Sequence, residues 1–397
     1  MPMRIVVLGG AGIVGRAIAA DLARQVDQVV VADLDPEAAQ SAADAIGASA
    51  ESTSVDVRDR SALVKVLQGA AACVNSVNYY FNLDVMQACL EAGIPYLDLG
   101  GLFHMTRRQL ELHSDFRARG LTAVLGIGSC PGVANVQAGW LAGKLDQVDS
   151  VRIFNGSTLD RGDSLSAPYA IQTILDEISQ PAMVFREGRF EERSPLSEEE
   201  HHHFPEPIGW AKTHLSLHSE VATIPLSFAE KGIQECAFKI TFFGYSEPAL
   251  RKLQFLAEIG LASTEAVELN GVSIRPRDLL VKLLGRLQAG EAEPANEGYK
   301  AVVTEIKGKI GDRPIELRAE TVGGPLVDQT VGAGKRLIAG PAAIVARALA
   351  EGRLSRPGVW APEQAIEPEP FFAELAERGF TTRISKKETV AAPLSAA

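Results

Sequence analysis

The chain has 397 residues, 46% of them hydrophobic and 22% charged, which supplies apolar residues for more than one core and excludes disorder for most of the chain. Its net charge of -11, with no long Lys/Arg run, argues against sequence-independent nucleic-acid binding, which needs a basic surface. Four separate cysteines (Cys73, Cys89, Cys130 and Cys236) form no C-x-x-C pair, so neither a secreted disulfide scaffold nor a zinc ribbon is expected.

In chain order, Arg4 to Leu8 reads as a buried strand and Ala11 to Gln25 as a helix with Ile13, Ala17, Ile18 and Leu22 on one side. The alternation continues. Strands are predicted at Gln28–Ala32, Ser52–Asp56, Ala72–Val77, Tyr96–Leu99 and Thr122–Leu125. Helices are predicted at Pro36–Ile46, Arg60–Leu67, Leu83–Ala92 and Met105–Arg119. Apolar strands alternating with amphipathic helices imply a parallel, doubly wound α/β sheet of the Rossmann type over residues 1–134. From 135 to 335 the strands lengthen and alternate, as at Ser150–Asn155, Ala237–Phe243 and Ala301–Lys309, which indicates an α+β domain. Phe190 to Pro207 is acidic and Pro-rich and reads as a loop. Helices follow at Ala339–Ala350 and Pro368–Arg378, and the small polar tail from Ser385 is expected to be flexible. The N-terminal apolar run breaks at Gly9 and Gly10, so no signal peptide is expected. No run of about 18 apolar residues suggests a membrane span. The expected compartment is reducing and cytoplasmic.

The strongest chemical signal is Gly10-Ala11-Gly12-Ile13-Val14-Gly15, a G-x-G-x-x-G between a strand and a helix. Gly10 is expected to make the tight turn, Gly12 to admit a pyrophosphate, and Gly15 to let helix and strand pack closely. Asp33 follows Gly15 by 18 residues at the end of the second strand. A carboxylate there binds ribose hydroxyls and repels a 2′-phosphate, which favours NAD over NADP. Asp56 and Val57 are expected to border the adenine, and Asn75, Ser76 and Val77 the nicotinamide side.

Three further segments carry a resemblance. Asn78-Tyr79-Tyr80-Phe81-Asn82, Asp98-Leu99-Gly100-Gly101 and Gly128-Ser129-Cys130-Pro131-Gly132-Val133 resemble the saccharopine dehydrogenase family. Leu102 to Arg107, His218 to Thr223 and the closing Arg356 to Glu363 look most like its L-lysine 6-dehydrogenase-like branch. The resemblance covers about residues 4–380. It implies a substrate and dimerisation domain inserted after the sixth strand, and residues 336–384 returning to the Rossmann side. It also implies a homodimer, and NAD-linked oxidation of an amino-acid C–N bond through an imine. L-Lysine 6-deamination is the leading expectation. An opine-type reductase of saccharopine or of a carboxylated polyamine is the alternative, and an NAD-binding protein without turnover a third. Many members carry Asp where Cys130 stands, so a role for that carboxylate does not transfer.

Such chemistry needs a proton acceptor tuned near working pH. The candidates are Tyr79 after the fourth strand, Asp98 at the end of the fifth, His104 in the loop beyond, Cys130 at a helix start, and His218 with Glu220. The last two, if on a strand, share a face. Lys212, Lys239 and Arg186 are candidates for holding an α-carboxylate. His201-His202-His203 in its acidic loop is discounted as a metal site, and Gly332-Ala333-Gly334-Lys335-Arg336 as a P-loop because no Ser/Thr follows the lysine. Asn155-Gly156-Ser157 matches a glycosylation sequon that only a secreted chain would use.

Overall fold

The computed structural model describes residues 3–159, 162–165, 170–290, 298–326 and 331–388. Its first half alternates strand and helix: β1 (Arg4–Leu8), α1 (Ile13–Leu22), β2 (Gln28–Asp33), α2 (Pro36–Ile46), β3 (Ala50–Ser54), α3 (Arg60–Leu67), β4 (Ala72–Asn75), α4 (Asn82–Ala92), β5 (Tyr96–Asp98), α5 (Leu102–Leu110), α6 (His113–Ala118), β6 (Thr122–Val124) and α7 (Val133–Ala142). Ile5 to Leu8 and Val29 to Ala32 are buried on both faces, so these strands need helices above and below. Gly15, Ile18, Ala19 and Leu22 of α1 form the buried stripe that meets this demand. Glycines end the helices as read: Gly47 and Gly93 both have positive φ. The helix predicted over Met105–Arg119 is two, broken at Glu111–Leu112.

A second set of elements follows: β7 (Gln147–Ser157), α8 (Ile171–Ser179), β8 (Ala182–Arg186), β9 (Arg189–Arg193), β10 (Glu200–His203), β11 (Trp210–Leu215), α9 (Glu220–Ser227), β12 (Glu235–Ile240), α10 (Glu247–Glu258), the hairpin β13 (Val267–Leu269) and β14 (Val272–Ile274), α11 (Pro276–Gly290), β15 (Lys300–Ile310) and β16 (Arg313–Gly323). Then come α12 (Ala333–Ala350), β17 (Gly358–Trp360), α13 (Pro362–Ala365), α14 (Pro368–Glu377) and β18 (Phe380–Glu388).

Among the described residues, the first sheet has seven parallel strands in the order β17-β6-β5-β4-β1-β2-β3. This is the Rossmann order with β17 added beside β6. The second sheet has nine strands and is mixed: β12 runs parallel to β7, while β15 pairs antiparallel with both β7 and β16. Helix α7 crosses from one domain to the other, and Gln137 on it donates to the Thr321 hydroxyl of β16 at 2.7 Å.

Three expectations are corrected. The acidic stretch 190–207 contains most of β9 and all of β10. It reads as a loop because these strands carry many charged residues, which pair laterally, Arg189 with Glu191 at 2.8 Å and Arg193 with Glu191 at 2.5 Å. The C-terminal region is more than returning helices. Helix α12 packs on α1 and β4, and Arg378 forks onto Asp21 of α1, but β17 joins the first sheet and β18 the second. Residues 385–388 are strand, paired to β16 from Ser385↔Arg318 to Glu388↔Ile315, where a flexible tail was expected. The remainder of that tail lies outside the described residues.

Candidate functional site

The β1–α1 loop is built around close approaches that only glycine permits. Gly9, at φ +69°, makes the left-handed turn that the sequence assigned to Gly10. A Cβ on Gly10 would lie 2.9 Å from the Val7 carbonyl oxygen, so Gly10 is needed for packing under the turn. A Cβ on Gly15 would meet the Gly9 carbonyl oxygen at 2.1 Å and Ser76 Oγ at 2.6 Å. Gly12 meets only the Gly9 oxygen, at 3.2 Å, and lines open space. It is also the N-cap of α1, and no side chain caps the helix there. First-turn amides without a side-chain cap beside a glycine that keeps its surface bare fit a pyrophosphate. Replacing Gly15 by alanine is therefore expected to weaken dinucleotide binding at least about tenfold, because the added methyl forces the loop and β4 apart. Fluorescence titration with NADH checks this, and an unchanged affinity refutes the packing argument.

Two cavities flank this loop. One, about 350 Å³, is lined by Gly9, Asp33, Leu34, Asp56, Val57 and Arg58, the residues read from the sequence as the adenosine side among them. Asp33 Oδ2 accepts the Ala11 N–H at 3.0 Å, which aims the carboxylate across the loop. Arg58 forks onto Asp56 at 2.9 and 2.6 Å, and this hydrogen-bonded pair holds the Asp56 carboxyl down at about 2. The other cavity, about 440 Å³, runs from Gly12, Ile13, Val14 and Gly15 past Ser76, Val77 and Tyr79 to the loop 128–131. Its far wall comes from the second domain, with Asn155, Thr173, Glu177 and His218. Asn75 lines neither cavity. Its amide is turned inward, donating to Asn82 Oδ1 at 3.0 Å and to the Tyr96 hydroxyl at 3.2 Å.

The candidate acids and bases are distributed unevenly. His218 (6% exposed) lines the larger cavity, stacks on Phe238 with ring centroids 3.8 Å apart, and shares its Nδ1 with Oε2 of Glu220 (0% exposed). The two are not alternate residues of a strand: His218 precedes α9, and Glu220 is in its first turn. Burial pushes the imidazole down. The charge and hydrogen bond of Glu220, with the charge of Glu177, outweigh that, so the net value is raised. Lys300, 3% exposed at the start of β15, opposes the rise. With Nδ1 engaged, Nε2 is the ring nitrogen left for a ligand.

Cys130 lines the cavity, but burial pushes its thiol up, and nearby Glu220 adds to the effect. The helix-start position at which a thiolate would be favoured is not realised, since α7 begins only at Val133, and the charge of Glu220 outweighs that of Lys300, so the thiol is neutral. Tyr79 lines the same cavity from a single 3-10 turn and donates to Asp176 Oδ2 at 2.7 Å. Burial and that carboxylate push its hydroxyl well above the ordinary tyrosine value, so it stays protonated.

Asp98, expected in the cleft, is instead enclosed. Its Oδ1 accepts the amides of Gly100 and Gly126 at 2.8 and 2.7 Å. Its Oδ2 accepts from Tyr96 at 2.8 Å, Gln109 at 2.5 Å and Asn82 at 3.3 Å. Burial still raises its carboxyl above the usual range. It clamps the loops after β5 and β6 together. His104 is exposed on the first turn of α5, not in a loop, and does not line the cavity.

The three cations proposed for a carboxylate are used elsewhere. Lys212 bridges Glu199 and Glu247 at 2.6 and 3.3 Å, Arg186 pairs with Glu198, and Lys239 donates to the Glu198 carbonyl at 2.6 Å. Glu199, His214 and Glu247 have the spacing of a metal cluster, and the ammonium of Lys212 bridges its two carboxylates. His201 to His203 lie on β10, where His202 is buried and stacked on Phe154.

Sequence reading missed Glu177, Asn155 and Lys300. Asp176 and Glu177 interrupt the apolar stripe of Ile174, Leu175 and Ile178, a detectable anomaly for a helix that buries both acids. Lys300 opens a strand of ordinary pattern and carried no local signal.

A family model described as the saccharopine dehydrogenase NADP binding domain matches residues 5–124, and one described as the saccharopine dehydrogenase C-terminal domain matches residues 128–380. Carboxyaminopropylagmatine dehydrogenase of a Synechocystis species is 26% identical over 404 residues, covering 95% of this chain and 96% of that one. Carboxynorspermidine synthase of Vibrio alginolyticus is 23% identical over 355 residues, covering 84% and 81%. In structure, the L-glutamate-forming saccharopine dehydrogenase of Saccharomyces cerevisiae superposes with a TM-score of 0.70 at 16% identity, covering 98% of this chain and all of that one.

Proposed function

The chain belongs to the saccharopine dehydrogenase family, and from that premise we propose that it transfers hydride between a nicotinamide dinucleotide, NAD by preference, and the carbon of a C–N bond in a polyamine-type secondary amine. The observation that carries this reading is the buried His218–Glu220 pair, brought to the same cavity as the glycine loop. Both relatives named above carry polyamine-derived product names, which favours a carboxylated polyamine over lysine. The family's first domain is described as NADP-binding; Asp33, lining the smaller cavity, favours the unphosphorylated ribose.

When bound, the nicotinamide supplies or accepts the hydride. The chain does the rest. Gly12 to Gly15 and the start of α1 hold the pyrophosphate, and Asp33 the adenine ribose. Asp98 fixes the loops at Gly100 and Gly126, which shape the wall around the reacting carbon. His218 Nε2 takes the proton of the substrate ammonium before oxidation, or returns it to the nitrogen during reduction. Glu220 orients the ring through Nδ1 and stabilises its charged form. Tyr79 and Cys130, both neutral, offer a hydroxyl and a thiol beside the path without carrying charge.

The test is nicotinamide absorbance with carboxynorspermidine, carboxyaminopropylagmatine, saccharopine and L-lysine, offered with NAD and NADP separately. Reduction of NAD by a carboxylated polyamine supports the reading. Turnover of lysine alone restores the lysine 6-dehydrogenase reading that the branch motifs suggest. Binding of NAD with no turnover across the panel favours a protein that holds the cofactor without chemistry. Asp33→Ser is expected to shift the NAD-to-NADP ratio of kcat/KM toward NADP by at least about tenfold, since one repulsive charge leaves the ribose site. An unchanged ratio removes Asp33 from the selection.

A further inference from the structure

Eight of the fourteen large hydrophobic side chains exposed among the described residues fall between 255 and 287, each 47–58% exposed. Three belong to the hairpin, where the register pairs Val267 with Ile274 and Leu269 with Val272. Directly opposed residues share a face, so all four apolar side chains stand on one face of the ribbon, with Glu268 and Ser273 on the other. A two-stranded hairpin is marginal in water and needs such a face covered. On α11, Leu279, Leu283 and Leu287 follow at i, i+4 and i+8 and make one exposed stripe, while Leu280 and Leu284 are turned into the core. Phe255 and Ile259 repeat the i, i+4 spacing on α10. Both helices pack on α8, and the Arg277 amide at the start of α11 donates to the Ser263 carbonyl at 3.1 Å, which ties the three pieces into one lobe. Half the surface of eight such side chains is on the order of 700 Å², above the few hundred Å² of apolar patch usual on a monomer and near the roughly 800 Å² each partner buries in a stable interface.

The charges around this surface point to what covers it. Arg251, Lys252, Arg275 and Arg277 are taken by Glu247, Asp163, Asp278 and Asp176. The exposed charges left without an ion pair among the described residues are sorted by sign. Glu258 ends α10 and Glu265 precedes the hairpin, while Lys282 and Arg286 flank the leucine stripe of α11. The lobe is thus acidic along one side, basic along the other and apolar between, which makes it complementary to itself. We propose that it docks on the same lobe of a second copy of this chain. A two-fold axis that lays the α10–hairpin side of one copy on α11 of the other sets acids against bases twice and covers both leucine stripes. Because α8 supplies Thr173 and Glu177 to the larger cavity, the contact lies one helix away from that wall.

Sedimentation velocity of the full chain tests this. The wild type is expected to be a dimer at micromolar concentration. Leu283→Lys on α11 and Val272→Lys on the hairpin are each expected to raise the dissociation constant about 100-fold or more with Tm kept, since a charge is set into the centre of the contact. The two act from different elements, so if one prevents folding the other still decides. Two charge-reversed proteins, one with Glu258→Lys and Glu265→Lys, the other with Lys282→Glu and Arg286→Glu, are each expected to self-associate about tenfold more weakly. Mixed in equal amounts, they are expected to pair with each other about as tightly as the wild type with itself. A wild-type monomer overturns the proposal, also where that monomer binds phospholipid vesicles instead. So does a dimer that neither lysine variant weakens, which places the contact on another face. A mixture that associates no better than its components overturns the pairing of the α10–hairpin side with α11.

Discussion

Replacing His218 with asparagine is expected to lower kcat/KM for the C–N substrate by about 10²–10⁴-fold while leaving the NAD dissociation constant unchanged. The imidazole comes from the second domain and not from the glycine loop, so the loss is expected on proton transfer and not on cofactor capture. Its environment also sets the pH dependence. Glu220, Glu177, Cys130 and Lys300 act with it in one electrostatic neighbourhood, and the outcome after burial is a raised value. In the reductive direction the charged ring is the donor, so the rate falls as pH rises through that raised value; in the oxidative direction the neutral ring is the acceptor, and the rate climbs over the same range. The stability linkage has the matching sign. A raised folded-state value contributes stability that is complete below the unfolded value of about 6.5 and is lost as pH rises through the folded value. Glu220→Gln removes the charge that holds the imidazole up, so the kinetic limb moves toward acid. His218→Asn erases that limb. A pH–rate profile unchanged in both variants sinks His218 as the proton carrier.

Replacing Asp176 with alanine is expected to cost about 3–5 kcal/mol, the range for removing one partner of a buried ion pair. Asp176 (0% exposed) accepts from Tyr79 at 2.7 Å, Tyr80 at 2.5 Å, Arg277 at 2.6 Å and Gln180 at 2.7 Å. These donors come from three places: the turn after β4 in the first domain, α8 itself and α11. Without the carboxylate, the Arg277 guanidinium and two hydroxyls lose their acceptor together. Burial and Asp176 push the Tyr80 hydroxyl up to about 12, so neither tyrosine supplies a compensating charge near neutrality. A fall in Tm of roughly 6 °C or more is the expected reading. A Tm within about 1 °C of wild type shows that solvent replaces the cluster at no cost. Asp176→Asn keeps the shape without the charge and separates packing from electrostatics.

The first domain was legible because its signals are local. Apolar strands, glycine helix ends and the glycine loop each occupy a few consecutive residues, and neighbouring strands pair with near neighbours in sequence. The second sheet was less so, because β7 finds β15 about 150 residues later, and no local pattern encodes that partner. Charge patterns misled at β9 and β10, whose paired side chains look like a solvated loop when read alone. In the site, the pairing of His218 with Glu220 was readable from their types and spacing, although the frame is a loop entering a helix. Asp98 was mistaken for a cleft residue because its position at a strand end matches that role, while its five hydrogen-bond donors are dispersed from Asn82 to Gly126. Asn155 was dismissed as part of a sequon and Glu177 overlooked, since only the folded wall sets them beside the cavity.

The path of the last segment has a consequence for synthesis. After β16 the chain leaves the second sheet, places α12 and β17 on the first, and only then lays β18 along β16. The first sheet is therefore incomplete until residue 360 has left the ribosome, and the second until about residue 388, although its earliest strand begins at Gln147. At about 5–20 residues per second, the edge of β16 stays open for several seconds while the rest of the chain emerges. During that interval the long alternating strand is a template for any other nascent chain, and the last nine described residues are what close it.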